Sequence, residues 1–381
     1  MRKMIMGTMA ATLALGMFAG VLSAAPLKYD VTQRALEIVV DGKKVPFTDA
    51  RPIMDSSSRT LVPLRVVSEN LGAKVKWDGK NKQAEIKKGT VTIKMKVNDS
   101  TAYINGEPKT FDSQMVMMGE RTMVPLRFVS EALGTEVEFD KGAYFVYVKT
   151  PAFNESAVKL DEYGREIRTT NLPKNYKDFP YILKDVANEM YEVPFYIDEW
   201  SKERFASPAE LSKSPHIIRV NVDGWKKKIE EYYGLVLNAD YTSIDYDWAK
   251  NVRSYKNMLG GVESITSYVD WVRKNKIKVE GSLVAEPSIV YDDGTDYRMR
   301  TKFKFRIVSF DKYQNILYDS SFHLEKNANG PLPVYKKNVW YEGYADIALS
   351  SNNNGARYTP NLMLDNPSLF LKNAFIKPNK N

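Results

Sequence analysis

Arg59-Thr-Leu-Val-Pro-Leu-Arg-Val-Val-Ser-Glu-Asn-Leu-Gly72 returns as Arg121-Thr-Met-Val-Pro-Leu-Arg-Phe-Val-Ser-Glu-Ala-Leu-Gly134, 62 residues further on. Chance does not produce such a match, so the chain contains a duplicated unit. Pro63 and Pro125 suit the first helical position, where a missing N–H costs nothing, and Gly72 and Gly134 suit the left-handed position just past a helix end. Between them Leu64, Val67 and Leu71, and Leu126, Val129 and Leu133, fall at i, i+3 and i+7 and predict one apolar stripe per short helix. Arg65 with Glu69, and Arg127 with Glu131, are i,i+4 pairs worth a few tenths of a kcal/mol, about 0.2–0.5. Outward from this core, Val39-Val40-Asp41-Gly42 answers Tyr103-Ile104-Asn105-Gly106, and Lys74-Val-Lys-Trp-Asp78 answers Glu136-Val-Glu-Phe-Asp140. The Asp-Gly and Asn-Gly pairs are tight-hairpin signals, and the segments flanking them alternate as strands do. A unit of about 60 residues buries only about 60% of its unfolded surface, so the two copies are expected to pack together.

The Asn/Asp-Gly hairpin, the Arg-Thr-Leu/Met-Val-Pro-Leu-Arg core, the helix ending in Leu-Gly and the strand ending in an aromatic-Asp pair together resemble the copper amine oxidase N-terminal-like domain, or stalk domain. The resemblance covers residues 31–150, with repeats at 31–100 and 101–150, and its motif residues are Arg59, Pro63, Arg65, Gly72, Arg121, Pro125, Arg127 and Gly134. It implies a small α+β module of exported and envelope-associated bacterial proteins, joined to many different partner domains and carrying no chemistry itself. The oxidase's copper and quinone belong to a separate catalytic domain that needs three histidines and an Asn-Tyr-Asp/Glu motif. This chain has only His216 and His323, and its Asn175-Tyr176 is followed by Lys177, which argues against amine oxidase activity.

Composition narrows the rest. The 381 residues contain no cysteine, which removes disulfides, thiolate nucleophiles and thiolate metal sites, and two histidines leave little for an imidazole metal centre. No metal and no cofactor are expected. Residues 1–25 read as an export signal: Arg2 and Lys3, an uncharged run from Ile5 to Leu22, then the small residues Ser23-Ala24-Ala25. The alternative is an uncleaved anchor, since the run reaches the lower length of a membrane span. The expected product is secreted, extracellular or attached to the cell wall, and meets the membrane only through the signal segment during export. Its formal charge of +8 includes Arg2 and Lys3. The remaining surplus favours weak attraction to anionic surfaces and is too small to argue for nucleic acid.

Residues 151–173 lose periodicity and read as a linker; residues 174–381 read as a second, α+β domain that resembles no known family. Helices are expected at 181–191, at 223–237 with Asp223 as a cap, at 243–259, and at 262–274 after the Gly260-Gly261 break. Strands are expected at 277–291, 297–310 and 316–324, so helices pack on one face of an antiparallel sheet. In the second strand Arg298, Arg300, Lys302, Lys304 and Arg306 alternate with Tyr297, Met299, Thr301, Phe303 and Phe305. That is either a docking face for an anionic wall polymer or an outer face whose cations pair with acids on neighbouring strands.

Other constellations are thinner. Asp292, Asp293 and Asp296 around Gly294 resemble a calcium loop but also suffice as a hairpin turn. Glu230, Glu231, Asp240, Asp245 and Asp247 could supply a glycosidase pair only if folding sets two of them about 5–10 Å apart. The preferred reading is a secreted, non-catalytic protein whose stalk presents a C-terminal binding domain to an anionic wall polymer or an envelope protein. The alternatives are a glycan or peptidoglycan hydrolase using C-terminal carboxylates, and a small-ligand receptor with an apolar cavity between helices and sheet.

Overall fold

The computed structural model describes residues 34–47, 50–55, 58–257, 263–311, 317, 335–350 and 359–379. The expected export signal, the Gly260-Gly261 break, His323 and, apart from residue 317, the strand expected at 316–324 lie outside the described residues. The architecture is α+β.

In the stalk the two copies share their sheets. Each contributes one short helix, α1 (Leu64–Asn70) and α2 (Leu126–Ala132), and the predicted stripes of both are buried. Gly72 and Gly134 take φ of +76° and +78°. The amide of the residue after each glycine reaches back to the Ser68 or Ser130 carbonyl, and the glycine amide to Glu69 or Glu131, closing both helices in the same way. Pro63 and Pro125 sit one residue earlier than expected, ending a strand and capping the helix.

Strands Thr60–Pro63 and Arg121–Pro125 pair antiparallel with Val62 opposite Val124, the same position in each copy. A pseudo-twofold therefore runs through the centre of the module. On one side the first strand of copy one, Glu37–Val40, lies parallel to the last strand of copy two, Phe145–Lys149. On the other, Val91–Lys96 bridges the closing hairpin of copy one to the opening hairpin of copy two, giving a five-stranded antiparallel sheet. Neither copy completes a sheet without the other.

The C-terminal domain is a sheet of three long strands, Lys278–Asp292, Tyr297–Ser309 and Trp340–Ser350, edged by Met363–Leu364 and Phe375–Pro378. The first two match expectation. One face is covered by α5 (Arg219–Val236), α6 (Tyr246–Tyr255) and α7 (Glu263–Lys274), numbered after two short helices, α3 (Asn188–Glu192) and α4 (Pro208–Leu211). Trp225, Ile229, Tyr268, Val272, Phe303 and Phe305 are fully buried in their shared core. The helix expected at 181–191 is a strand Ile182–Leu183 followed by α3, and α5 begins at Arg219, so Asp223 is interior rather than a cap. Residues 151–173, expected as a linker, pack against both modules, with Tyr163 and Arg165 fully buried.

Ser68 and Ser130 are fully buried on α1 and α2, and neither hydroxyl has a hydrogen-bond partner. A buried hydroxyl without a partner costs about 1–3 kcal/mol. Ser68→Ala and Ser130→Ala are therefore predicted to leave stability unchanged or raise it by about 1 kcal/mol, read as the urea midpoint; a loss would show that the hydroxyls are bonded.

Candidate functional site

The deepest polar chemistry lies where the stalk, residues 151–173 and the C-terminal sheet meet. Strand Lys278–Asp292 contains Pro287, which cannot donate to a ladder, and its pairing register shifts between Ala285 and Val290. At this bulge Glu286 leaves the regular pattern. Its Oε1 accepts from Arg165 Nη2 at 2.7 Å and its Oε2 from Lys44 Nζ at 2.8 Å. Arg165 also meets Asp161 at 3.0 Å, and Lys44 meets Glu37 at 3.2 Å. Lys226 of α5 lies 3.2 Å from Glu37 and pairs with Glu230, which in turn takes Arg34 Nε at 3.0 Å and the Ala285 amide at 3.2 Å. Alternating charges thus run without a break from the first stalk strand through α5 to the sheet.

Burial alone would push the Glu286 carboxyl up, but Arg165 and Lys44 beside it hold it well below the usual carboxylate range. For Glu37 too, Lys44 and Lys226 outweigh burial and the pKa is lowered. For Asp161 burial prevails over Arg165 and the pKa is raised.

The basic row of Tyr297–Ser309 meets three different environments. Arg300 is fully buried: it forks onto Asp346 at 2.8 and 2.9 Å, donates to the Met190 carbonyl at 2.9 Å and lies over Phe195. Arg298 is buried between Asp293 and the ring of Tyr196. Arg306 is half-buried, with Glu280 at 2.6 Å and Trp340 beneath it, and Lys304 also lies over Trp340. Lys302 is exposed, and its direct neighbours across the sheet are Val284 and Tyr344, so among the described residues it has no ion-pair partner. The five cations therefore do not form one docking face. Arg298 and Arg300 are structural because residues 190–196 cover their end of the sheet.

Between the stalk and the sheet lies a cleft of about 400 Å³, walled by Glu37, Lys44 and Val45 of the stalk, Asp185 and Met190 of the covering segment, and Lys302, Glu342 and Tyr344 of the sheet. Its position differs from the expected cavity between helices and sheet. Asp185 Oδ2 accepts the Lys44 amide at 2.9 Å, while its Oδ1 is buried without a hydrogen-bond donor.

The structure does not gather the other candidate carboxylates. Glu230 belongs to the ion chain, and Glu231 pairs with Lys227. Asp240 holds Thr242 and Lys278, Asp245 caps α6, and Asp247 meets Lys250. Asp292 and Asp293 accept the turn amides of Gly294, Thr295 and Asp296, the hairpin role. Among the described residues no group of acids and histidines is arranged to hold a metal, and no helix is long and apolar enough to cross a membrane. Sequence reasoning missed Trp200, 95% exposed on a turn whose amides bond to Asp198 and whose Asp198 amide bonds to Asp293. A β-carbon on Gly294 would lie 2.2 Å from the Ser201 carbonyl oxygen, so only glycine lets this turn seat on the hairpin.

This arrangement defines a two-module protein: a duplicated stalk fused by buried ion pairs to an α+β domain, with a cleft at the join. Residues 39–148 match the family described as the copper amine oxidase N-terminal domain. The chain is also similar to a protein from Brevibacillus choshinensis named "Protease inhibitor", at 32% identity over 142 residues, which is 37% of this chain and 41% of that relative. The match thus spans less than half of the relative's length. No solved structure matches the chain.

Removing one partner of a buried ion pair costs about 3–5 kcal/mol. Arg165→Met, which strands Asp161 and leaves Glu286 with Lys44 alone, is predicted to lower the unfolding free energy by about that amount in urea titrations, whereas Arg65→Met on the exposed face of α1 is predicted to change it by less than about 0.5 kcal/mol.

Asp296 supplies a pH test. Burial, then Asp365 and Asp293, raise its pKa to about 6 from an ordinary 3.8. A raised folded-state carboxyl pKa costs stability at neutral pH, and the cost vanishes below the unfolded value. Asp296→Asn is predicted to stabilise the protein at pH 7 and to lose that advantage as the pH falls from 6 towards 4, followed by denaturation at each pH.

Proposed function

We propose that the protein is an exported, non-catalytic binding protein of the cell envelope, in which the stalk and the C-terminal domain act as one unit and the cleft between them receives a polypeptide partner. One observation supports this most: the deep acids of the cleft, Glu37 and Glu286, are held ionised by cations on either side. A hydrolase of the two-carboxylate kind needs one acid kept protonated, whereas the cations hold both of these acids as carboxylates. A polypeptide partner is favoured over an anionic polymer because Arg298 and Arg300 are engaged internally. The relative named as a protease inhibitor is consistent with a protein target. On this reading the stalk is more than a spacer, since Glu37, Lys44 and Val45 form one wall of the cleft.

A second reading, an anionic wall polymer, retains Lys302, Lys304 and Arg306. Retention of the purified protein on wall polymer and on immobilised envelope proteins, each at low and high salt, separates the two. Protein-partner binding is expected to survive high salt, because opposite charges among the described residues of the cleft are equal in number. Retention only on polymer, lost in high salt and abolished by Lys302→Glu, would replace the first reading with the second. Export predicts that protein recovered from the culture medium begins after Ser23, Ala24 or Ala25 on N-terminal sequencing.

A further inference from the structure

Among the described residues, the charges facing the cleft are balanced. Lys44, Arg51, Lys302 and Lys304 stand against Glu37, Asp185, Glu286 and Glu342. A net anion or net cation gains little from such a site as a whole, while a ligand bearing one charge of each sign can use both. Two groups can take a further partner. Lys302 stands exposed on the sheet wall with Val284 and Tyr344 opposite it. Asp185 on the facing segment has one carboxylate oxygen spent on the Lys44 amide and the other buried without a donor. An incoming ammonium group would supply the missing donor.

The rest of the wall is largely apolar, including Val45, Val186, Met190 and Tyr344, and the volume of about 400 Å³ lies within the usual range for a small-ligand site. Taking the cleft as the binding site, as proposed above, we infer that it holds a short peptide with both ends free, the amino end against Asp185 and the carboxylate against Lys302, with apolar side chains between them. Lys44 takes no direct part, since Glu37 and Glu286 already hold it.

The test uses the full mature chain and three probes: the dipeptide Leu-Leu, its N-acetyl form and its C-terminal amide, with calorimetry for affinity. Leu-Leu is expected to bind at least about tenfold more tightly than either blocked form, each having lost one charge-assisted contact. Lys302→Gln, an exposed site that leaves folding intact, is expected to bring Leu-Leu and its amide to equal affinity while the acetyl form stays weaker. Asp185→Asn, which keeps an oxygen for the Lys44 amide, is expected to do the converse. Equal binding of all three probes, or an amide penalty that persists in Lys302→Gln, overturns the inference. So does failure of all three to bind, although salt-resistant retention on an envelope protein would leave the broader reading standing. Release of free leucine from Leu-Leu would instead overturn the non-catalytic reading itself.

Discussion

The structure turns on Glu286. A proline-enforced break in one strand delivers a carboxylate to a place where the first stalk strand, residues 151–173 and the sheet meet, and Arg165 and Lys44 converge on it. Charges taken out of water are expensive, and attraction offsets that expense only when each is fully matched. Here the matching runs on through Glu37, Lys226, Glu230 and Arg34, so the ions act chiefly as a specification. Removing any one member leaves its neighbour a buried charge with one match fewer.

How much of this was readable follows the range of the interactions. The stalk helices, their apolar stripes and their closing glycines depend on residues within one turn of each other, and their spacing carried them. The first two long strands alternate because one face meets helices. The third, Trp340–Ser350, was missed because both of its faces are largely covered, and a strand buried on both sides does not alternate. Exposure of the basic row was misjudged for a related reason: Asp346, Met190 and Tyr196, which engage Arg300 and Arg298, come from distant parts of the sequence.

The candidate site was less legible still. Glu37, Lys44, Asp185 and Glu286 have no common motif and no shared spacing, and they become neighbours only when the two modules close. The one local hint was Pro287 within an otherwise good strand, which marks a bulge but does not say what the bulge presents. Lys302 was singled out correctly as a cation on a strand face, yet its distinction from the other four depends on register, which pairs Lys304 and Arg306 with Glu342 and Glu280 but places Val284 and Tyr344 beside Lys302.

The parallel pairing of Glu37–Val40 with Phe145–Lys149 also has a consequence in time. The first strand of the module cannot find its partner until more than a hundred further residues have been made, and closing so long a loop is a late, slow event. A chain that grows from its amino end must keep that strand waiting, along with Glu37 and Lys44 and every ion pair that depends on them. The module is thus built to remain open while it is being synthesised and to lock only at the end.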